Sequence, residues 1–442
     1  MALTGMQIYK NLPKTNCKDC GLPTCMAFAM QVAAKQRALT DCPHITEAAK
    51  AAMSEASAPP MRLIKIGPEG KSFDIGQETV LFRHEEKFHR PAGIAVRIPA
   101  GLSDAEAGSR LEAIGKSAFV RVGKTLKVAL AAVELDGAGA AARAKLAAEK
   151  SPVPLVLMGK PDALKAGAEA TKGKRPLLYK ADAGSVEALS AVAAAAKCPL
   201  AVGAGSLEEL ADLTSKAKEK GAEDLVLAFG GSNAAETVRS LTVARRAGLR
   251  KGFRPFGYPA MVEVSASSPE LEGLLAASFA AKFAGIVIVN GLEPWELLPI
   301  LVTVQDVYTD PQVPNAVEAK LYELGSPNEN SPVMFTTNFS LTYFSVAGEV
   351  ERSKVPAYIC VVDTEGLGVL NAYAGDKISA EKVVKTIQAQ KVAEKVKHRR
   401  LIIPGLLPIF RAEIEDTSEW KEVIIGPENA REIPAFLQKM AK

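Results

Sequence analysis

Eight short apolar segments, each followed by a turn and an Ala-rich helical pattern, dominate the middle of the chain. They lie at residues 94–98, 126–133, 155–158, 177–180, 200–204, 224–231, 260–266 and 285–291. Near-continuous apolar strands that alternate with helices are typical of a parallel sheet buried on both faces. Eight evenly spaced units predict a closed (β/α)8 TIM barrel, and an open doubly wound sheet is the alternative. Residues 71–90 predict a short hairpin at the N-terminal end of this barrel.

A polar segment rich in turn-forming residues, GSPNENSP at 325–332, follows the last helical pattern of the barrel and reads as a linker. Four further apolar segments come after it, at 333–338, 357–362, 401–405 and 423–427. With helical patterns between or after them, these segments predict a small open α/β domain. At the other end of the chain, a helical region precedes the stretch SAPP. The predicted domains are therefore 1–57, 58–324 and 325–442.

Composition and charge narrow the range of partners. The chain has 48% hydrophobic residues, and its 54 Lys and Arg exceed its 50 Asp and Glu by only +4. Because the charges are spread along the chain, a nucleic-acid-binding face is not expected. The longest apolar run, 185–205, is rich in Ala and interrupted by Lys197 and Pro199, so no membrane span is predicted. The first ten residues lack the pattern of a secretory signal, so a cytoplasmic location is expected.

Four of the six cysteines fall close together near the start of the chain, in the spacing Cys17-x2-Cys20-x4-Cys25-x16-Cys42. Thiols in a reducing compartment that cluster in this way usually hold a metal. Three thiolates from one tight loop and a fourth from beyond a helix favour a 4Fe-4S cluster. A structural zinc site is the main alternative, but zinc ligands usually come as two close pairs, and only one close pair is present.

Small and polar residues collect where the strands of the C-terminal domain end. Since parallel sheets bind ligands at their carboxyl edge, the loops 336–342, 364–375, 404–408 and 426–430 form a candidate binding surface. These loops contain glycines, hydroxyl-bearing residues and Leu or Phe, and they lack an acid-base pair. This composition favours binding of a broad, partly apolar ligand over catalysis of a reaction. Ordinary α/β domains also carry Gly- and Thr-rich loops there, so both interpretations stay open at this point.

Polar residues also lie near the predicted carboxyl ends of the barrel strands, where barrel enzymes keep their catalytic groups. These are Glu134, Asp136, Lys180, Asp182, Asn233, Glu263 and Asn290. No pair among them is specific enough to predict a reaction.

The whole arrangement resembles the large (gamma) subunit of the corrinoid iron-sulfur protein of the acetyl-CoA (Wood-Ljungdahl) pathway. The resemblance covers the entire chain, and its most specific elements are the four cysteines and the segment VMFTTNFSLTYFSVAGEVERS at 333–353. It implies a 4Fe-4S cluster on Cys17, Cys20, Cys25 and Cys42. It also implies a cobalamin-type corrinoid on the C-terminal loops, with contacts from Thr337, Asn338, Ser340, Thr342, Gly366, Leu370, Asn371, Ala372, Tyr373, Gly375, Gly405, Leu406, Leu407, Gly426 and Glu428.

The function that the resemblance implies is that of a methyl carrier rather than an enzyme acting alone. Cobalt(I) takes a methyl group from methyltetrahydrofolate through a separate methyltransferase, and the methyl group then passes to acetyl-CoA synthase. A small barrel subunit completes a heterodimer, and a reductive activator or electron donor restores oxidised cobalt. The alternative is a barrel enzyme that itself binds a pterin and catalyses methyl transfer.

The C-terminal loops contain no histidine, although many corrinoid domains place one beneath cobalt through an Asp-x-His-x-x-Gly loop. The nearby His398 precedes its strand and is expected at the opposite edge of the sheet. Cobalt is therefore expected to lack a protein imidazole ligand, which makes cobalt(I) easier to reach. Because cobalt(I) sometimes loses one electron, the cluster is expected to serve its reductive reactivation rather than methyl transfer.

Overall fold

The computed structural model describes residues 5–34, 37, 41–46 and 59–441 of the chain. Two compact units emerge from its contacts. The first comprises Met1–Ser117 and Lys127–Tyr308, and the second comprises Ala118–Leu126 and Thr309–Lys442. No helix in the described ranges is both long enough and apolar enough to span a membrane.

The cysteine-containing module of the first unit has two short helices, α1 (Gly5–Lys10) and α2 (Cys25–Ala33). Helix α2 begins at an N-cap threonine, because the Thr24 hydroxyl accepts a hydrogen bond from the Ala27 amide at 3.1 Å. Helices of this length are marginal alone, and here they share a small core of Ile8, Leu12, Phe28, Ala29, Ile45 and two of the cysteines. The helical pattern predicted beyond Ala34 falls largely on residues outside the described ranges.

Eight parallel strands close into a barrel, as predicted. They are β3 (Gly93–Ile98), β6 (Leu130–Leu135), β7 (Leu155–Gly159), β8 (Leu177–Ala181), β9 (Leu200–Gly203), β10 (Leu225–Gly231), β11 (Ala260–Val264) and β12 (Ala284–Val289). Each pairs with the next, and β12 returns to pair with β3. Each of the eight predicted apolar segments overlaps one of these strands. Their side chains are almost entirely buried, which is what strands covered on both faces require.

One helix follows each barrel strand. They are α3 (Asp104–Lys116), α4 (Ala140–Lys150), α5 (Pro161–Ala170), α6 (Val186–Ala196), α7 (Leu207–Glu219), α8 (Ala234–Lys251), α9 (Pro269–Ala281) and α10 (Pro294–Tyr308). Ser103 starts α3 with a full capping box: its hydroxyl accepts from the Glu106 amide, while the Glu106 carboxylate accepts from the Ser103 amide.

The N-terminal end of the barrel is covered by a hairpin of β1 (Leu63–Ile66) and β2 (Phe73–Gly76). The Arg62 amide donates to the Gly257 carbonyl at 2.8 Å, just before β11. The hairpin lies where it was expected, but its residues differ from the prediction. Its first strand precedes the predicted range 71–90, and residues 77–92 form no strand. Polar residues dominate that stretch, so its backbone is held by side chains instead.

The second unit contains a five-stranded sheet. Its strands are β13 (Leu321–Leu324), β14 (Val333–Thr337), β15 (Ala357–Val362), β16 (Arg400–Ile403) and β17 (Glu422–Ile425). The order is β13-β15-β14-β16-β17, and only β13 is antiparallel to its neighbour. The four predicted strands are the parallel ones. β13 was not predicted because its residues are half-buried or exposed and show no apolar run. A separate hairpin, β4 (Ala118–Arg121) and β5 (Lys124–Lys127), interrupts the barrel sequence.

Helices cover both faces of this sheet. They are α11 (Ser340–Ser353), α12 (Val369–Ala374), α13 (Ala380–Ala389), α14 (Phe410–Thr417) and α15 (Ile433–Met440). One face packs on α12, α13 and α14, and the other packs on α11 and α15. The second unit is thus an open α/β layer structure whose parallel strands all end at one edge.

Candidate functional site

The four clustered cysteines line a single concavity. Cys17, Cys20, Cys25 and Cys42 all contribute to its wall, together with Leu12, Leu22 and Phe28. Their exposure is uneven, since Cys25 and Cys42 are buried, Cys20 is half-buried and Cys17 is exposed. The fold therefore brings together the residues that the spacing singled out, with two thiols in the module core and two toward solvent.

In the loop before α2, the sign of the backbone φ angle alternates from residue to residue. Its φ angles are positive at Lys14 (60°), Asn16 (48°) and Lys18 (69°), and again at Gly21 (78°). Alternation of this kind is the backbone pattern of nests, in which successive amides surround an anionic group such as an iron-sulfur centre. The Asn16 side chain ties the loop to the helix, because its Oδ1 accepts from the Cys25 amide at 2.8 Å. An electron-rich group with thiolate ligands fits this cradle.

A mixed ligand set is also present beside the cavity. One ligand atom each from Cys17, Asp19 and His44 lie within 4.8 Å of one another, and all three residues are exposed. His44 Nε2 is 2.5 Å from Asp19 Oδ2, and hydrogen bonds from His44 and then Cys17 lower the pKa of Asp19. This set uses one of the four cysteines, whereas the cavity uses all four. The cavity is thus the better match for the cysteine spacing.

A second concavity, of about 290 Å³, lies at the carboxyl edge of the five-stranded sheet. Of the predicted residues, Thr342, Leu406, Gly426 and Glu428 line it. Its wall also includes Ser345 from α11 and Phe436 from α15, which sequence reasoning missed. The amphipathic pattern of the last helix was the available signal, but nothing in the sequence says which strands that helix covers.

Two predicted glycines, Gly405 and Gly426, stand where backbone segments approach closely. A Cβ atom at Gly405 would lie 2.5 Å from the Gly426 carbonyl oxygen. A Cβ atom at Gly426 would lie 2.9 Å from the Ile403 carbonyl oxygen. Both glycines are therefore needed to bring the loops after β16 and β17 together.

Asn338 joins the loops after β14 and β15. Its Oδ1 accepts from the amides of Thr364 at 2.9 Å and Gly366 at 3.0 Å, and its Nδ2 donates to Asp363 Oδ1 at 2.8 Å. Its own amide donates to the Val362 carbonyl. With its side chain buried and fully used inside the chain, Asn338 positions the edge loops.

Buried hydroxyls without a partner flank this asparagine. Thr337 and Ser340 are 0% and 3% exposed, and neither hydroxyl has a hydrogen-bond partner in the described part of the chain. Unpaired buried polar groups cost stability and are uncommon. Both hydroxyls lie at the end of β14, beside the edge loops.

The remaining predicted residues of the edge divide by exposure. Leu370 (55%) and Tyr373 (44%) expose apolar surface, and Asn371 and Gly375 are exposed beside them. Ala372, which belongs to α12, and Leu407 are instead buried in the core on the sheet face that α12, α13 and α14 cover. His398 lies at the opposite edge, where its Nε2 is 2.9 Å from the carbonyl oxygen of Ser331, just before β14.

An ion-pair network crosses the carboxyl end of the barrel. Arg97 from β3 contacts Glu263 from β11, and its Nη1 is 3.2 Å from Glu134 Oε1 on β6. The Tyr179 hydroxyl of β8 donates to Glu263 Oε2 at 2.6 Å. Burial, reinforced by the Glu263 charge, raises the pKa of Tyr179. These charges satisfy one another, so no free acid-base pair results.

Three other barrel candidates have local structural roles. Asp182 accepts from Ser185 at 2.6 Å and from the Gly184 amide at 3.1 Å. Asn233 caps α8, and the Asn290 side chain donates to buried Glu272 at 2.7 Å. Asp136 is the residue before a 3-10 turn, and exposed Lys180 follows Tyr179 in β8.

Two family models match separate parts of the chain. A family model described as CO dehydrogenase/acetyl-CoA synthase delta subunit matches residues 63–437. A second model, for an Fe-S cluster domain, matches residues 12–44, which include all four clustered cysteines. Among solved structures, a dihydropteroate synthase of Yersinia pestis aligns with 55% of this chain and 99% of its own at 12% identity, with a TM-score of 0.39. A likeness that low carries no functional argument.

Full-length relatives are found as well. The corrinoid/iron-sulfur protein large subunit of Moorella thermoacetica is 42% identical over 99% of this chain and 98% of its own length. The acetyl-CoA decarbonylase/synthase complex subunit gamma of Methanopyrus kandleri is 34% identical over 99% of this chain and 98% of its own. The chain therefore belongs to the CO dehydrogenase/acetyl-CoA synthase delta subunit family, together with these corrinoid/iron-sulfur protein large subunits and gamma subunits.

Proposed function

We propose that this protein is a methyl carrier that holds a 4Fe-4S cluster and a corrinoid on separate parts of the chain. The observation that carries the proposal is the coexistence of a four-cysteine cavity and a cavity at a parallel-sheet edge whose lining contains one carboxylate, Glu428, and no acid-base pair. The relative from Moorella thermoacetica is a corrinoid/iron-sulfur protein large subunit, which supports both groups. In this proposal residues 1–57 form the cluster domain, 58–324 the barrel and 325–442 the corrinoid domain.

Cys17, Cys20, Cys25 and Cys42 would hold the cluster. Four thiolates make such a cluster electron-rich and give it a low reduction potential. The hydrogen bond from the Cys25 amide to Asn16 Oδ1 joins the loop 14–18, with its alternating φ angles, to the start of α2. In this proposal the cysteines supply the thiolate ligands, and the loop 14–18 supplies the backbone that surrounds them.

The loops at the carboxyl edge of the sheet would hold the corrinoid. When bound there, the corrinoid would supply a cobalt centre that can carry a methyl group from methyltetrahydrofolate, through a methyltransferase, to acetyl-CoA synthase. Thr342, Leu406 and Glu428 face the edge cavity, and exposed Leu370 and Tyr373 add apolar surface. Asn338 and Gly405 act as positioning residues for these loops. The edge loops contain no histidine, so we propose that the protein provides no imidazole ligand to cobalt.

We further propose that the protein acts within a complex. Relatives named as a large subunit and as a complex subunit support a small-subunit partner, which we expect to be a second barrel subunit. The methyltransferase, acetyl-CoA synthase and a reductive activator or electron donor are the other proposed partners. The cluster would serve the reactivation of oxidised cobalt. Methyl transfer to and from cobalt involves no net oxidation or reduction, so it does not itself require an electron from the cluster.

The alternative is a barrel enzyme that itself binds a pterin and transfers methyl. The network of Arg97 with Glu134 and Glu263 opposes it, because these charges at the carboxyl end of the barrel already pair with each other. If the purified protein moved methyl from methyltetrahydrofolate to cobalt at full rate without a methyltransferase, the alternative would replace the carrier function.

Metal analysis of the complex tests the proposal. The protein, purified anaerobically with its partner subunit, is assayed for iron, cobalt and zinc, and its ultraviolet-visible spectrum is recorded. We expect about four irons per heterodimer, as one cubane on four thiolates requires, and about one cobalt, as one corrinoid requires. Zinc without cobalt would contradict the proposal.

A further inference from the structure

A short segment of the second unit, before β13, runs beside the carboxyl edge of the five-stranded sheet. Residues 311–316 are exposed and lie outside the helices and strands. The next residue, Val317, is only 6% exposed and packs in the core with Met334 and Tyr343. Exposed segments without regular structure are usually among the most mobile parts of a chain. The contacts that hold this one therefore indicate a role for it, and we call residues 314–317 the strap.

Backbone hydrogen bonds tie the strap to the loop after β14. The Val317 amide donates to the Asn338 carbonyl at 2.9 Å, and the Ser340 amide donates to the Asn315 carbonyl at 2.8 Å. These two bonds flank a single antiparallel bridge between the segments. Because one bond runs in each direction, they fix both the distance and the register of the two segments.

The strap also approaches the loop after β15. Gly366 in that loop has a φ of 76°, and a Cβ atom there would lie 3.0 Å from both Cβ and the carbonyl oxygen of Pro314. So close an approach requires glycine. The hairpin of β4 and β5 belongs to the same compact unit, and a Cβ atom at Gly123 in its turn would lie 4.0 Å from Cγ1 of Val317. The core, two edge loops and the hairpin thus surround the strap.

The elements that the strap holds carry residues of the edge cavity. Ser340 is the first residue of α11, and Thr342 and Ser345 of the same helix line the cavity. The Ser340 hydroxyl has no hydrogen-bond partner in the described part of the chain, so the bond from its amide to Asn315 fixes this residue. A shift of the strap would therefore move the start of α11 and the two hydroxyls that face the cavity.

We infer that the strap is a positioning element for corrinoid binding, because it holds the start of α11 and the loop after β15 in one arrangement before the ligand arrives. The inference rests on the proposed function, since it concerns the group proposed for this edge. Loops that are ordered in advance lose less entropy on binding, and this strengthens retention of the ligand. Loosening the strap should therefore weaken the hold on the corrinoid more than it weakens the fold.

The first test removes the donor of one strap bond. Ser340→Pro lacks the amide hydrogen that Asn315 accepts, and a ring carbon takes its place. Proline suits the first position of a helix. Phe339 before it, with φ −59° and ψ 119°, already has the extended backbone that proline favours in its neighbour. Ser340→Ala is the matched control, because it removes the same hydroxyl and keeps the amide.

The second test changes the strap itself. Pro314→Gly removes the ring beside Gly366 and frees the backbone of the strap. Pro311→Gly is the matched control, since Pro311 is an exposed proline three positions earlier and outside the strap. Both substitutions add the freedom of one glycine, so their direct effects on unfolding should be similar.

All four variants are purified anaerobically as the full chain with its partner subunit. Cobalt remaining after timed incubation and gel filtration gives the rate of corrinoid release, and circular dichroism gives the midpoint of thermal unfolding. We expect Ser340→Pro to release corrinoid about tenfold faster than Ser340→Ala, as loss of one backbone hydrogen bond predicts. Pro314→Gly should likewise release it faster than Pro311→Gly. Unfolding midpoints should be similar within each pair, and added hydroxocobalamin should refill every variant.

Equal release rates within both pairs would overturn the role of the strap and leave the corrinoid site in place. So would faster release that is matched by a lower unfolding midpoint, since the strap would then only stabilise the fold. If Ser340→Pro does not fold, the two proline variants decide the question alone. A wild-type complex without cobalt would instead contradict the proposed function, so the two failures are distinguishable.

Discussion

Cys20 is half-buried and belongs to the proposed set of cluster ligands. We expect Cys20→Ala to leave methyl transfer to chemically pre-reduced cobalt nearly intact, because the methyl group would move as a cation onto an electron pair that cobalt(I) itself supplies, and no electron from the cluster is needed. Recovery of oxidised cobalt with a protein electron donor should be lost. Both rates are measured on the same preparation, with Cys198→Ala, a buried cysteine outside the module, as the control. A folded variant that keeps its corrinoid and loses both activities would place the cluster in the transfer step.

Gly405 lies where two loops of the sheet edge touch, so it tests the proposed corrinoid site. In Gly405→Val the new Cβ would lie 2.5 Å from the Gly426 carbonyl oxygen and push the loops after β16 and β17 apart. We expect cobalt per heterodimer to fall by more than half, measured after gel filtration. Gly348→Ala is the control, because a Cβ there meets nothing within 4 Å. Full cobalt retention in Gly405→Val would count against this location.

At the residue scale, the cysteines were predictable and the asparagine network was not. The spacing of Cys17, Cys20 and Cys25 is local, and residues so close in sequence remain close in any fold. Asn338 and Thr364 are 26 positions apart, and they meet only because β14 and β15 pair in parallel with one register. The buried location of Ala372 and Leu407 likewise depends on which helix covers which strand.

Residues 77–92 show how an element without regular structure is held. Glu78 accepts hydrogen bonds from the amides of His89 at 2.9 Å and Arg90 at 2.7 Å. Arg245 of α8 pairs with Glu78 at 3.5 Å, and their side chains are only 7% and 5% exposed. The Arg245 guanidinium also lies 5.1 Å from the ring centre of Phe283. One buried ion pair therefore joins this segment to α8.

We expect Arg245→Met to destabilise the barrel by about 3–5 kcal/mol, because it leaves a carboxylate buried without its cation. The midpoint of thermal unfolding, followed by circular dichroism, measures the change. Glu78→Gln should lower that midpoint in the wild-type background and raise it in the Arg245→Met background, since it then removes the uncompensated charge. An equal shift of the midpoint in both backgrounds would show that the pair is not coupled.

At the element scale, the eight barrel strands were predictable because strands buried on both faces are apolar throughout. β13 and the hairpin strand β1 were not predicted, since each has only four residues and a charged residue, Glu323 or Lys65, interrupts its apolar run, which leaves a pattern too short to distinguish from a loop. These two strands form because they hydrogen-bond with β15 and β2, and their own sequences do not predict that pairing.

For the whole molecule, dependence on a partner subunit follows from the exposed edge. Leu341 (68%), Leu370 (55%) and Ile409 (59%) all lie in or beside the edge loops, and exposed apolar groups of this kind indicate a surface that something covers. We expect the large subunit expressed alone to lose most of its corrinoid, and co-expression with the small subunit to restore it. Cobalt content and corrinoid absorbance after gel filtration measure both. Equal retention in the two preparations would contradict the proposed partner.

The pairing of β12 with β3 has a consequence for synthesis on the ribosome. Ile286 aligns with Gly93 in that pair, so nearly two hundred residues must emerge between the first barrel strand and the one that completes it. Until then the nascent chain presents two unpaired strand edges, and such edges recruit other chains. The cysteine module needs no contact of that range and emerges first. A chain that stalls after α9 should therefore carry a finished cysteine module on an aggregating remnant.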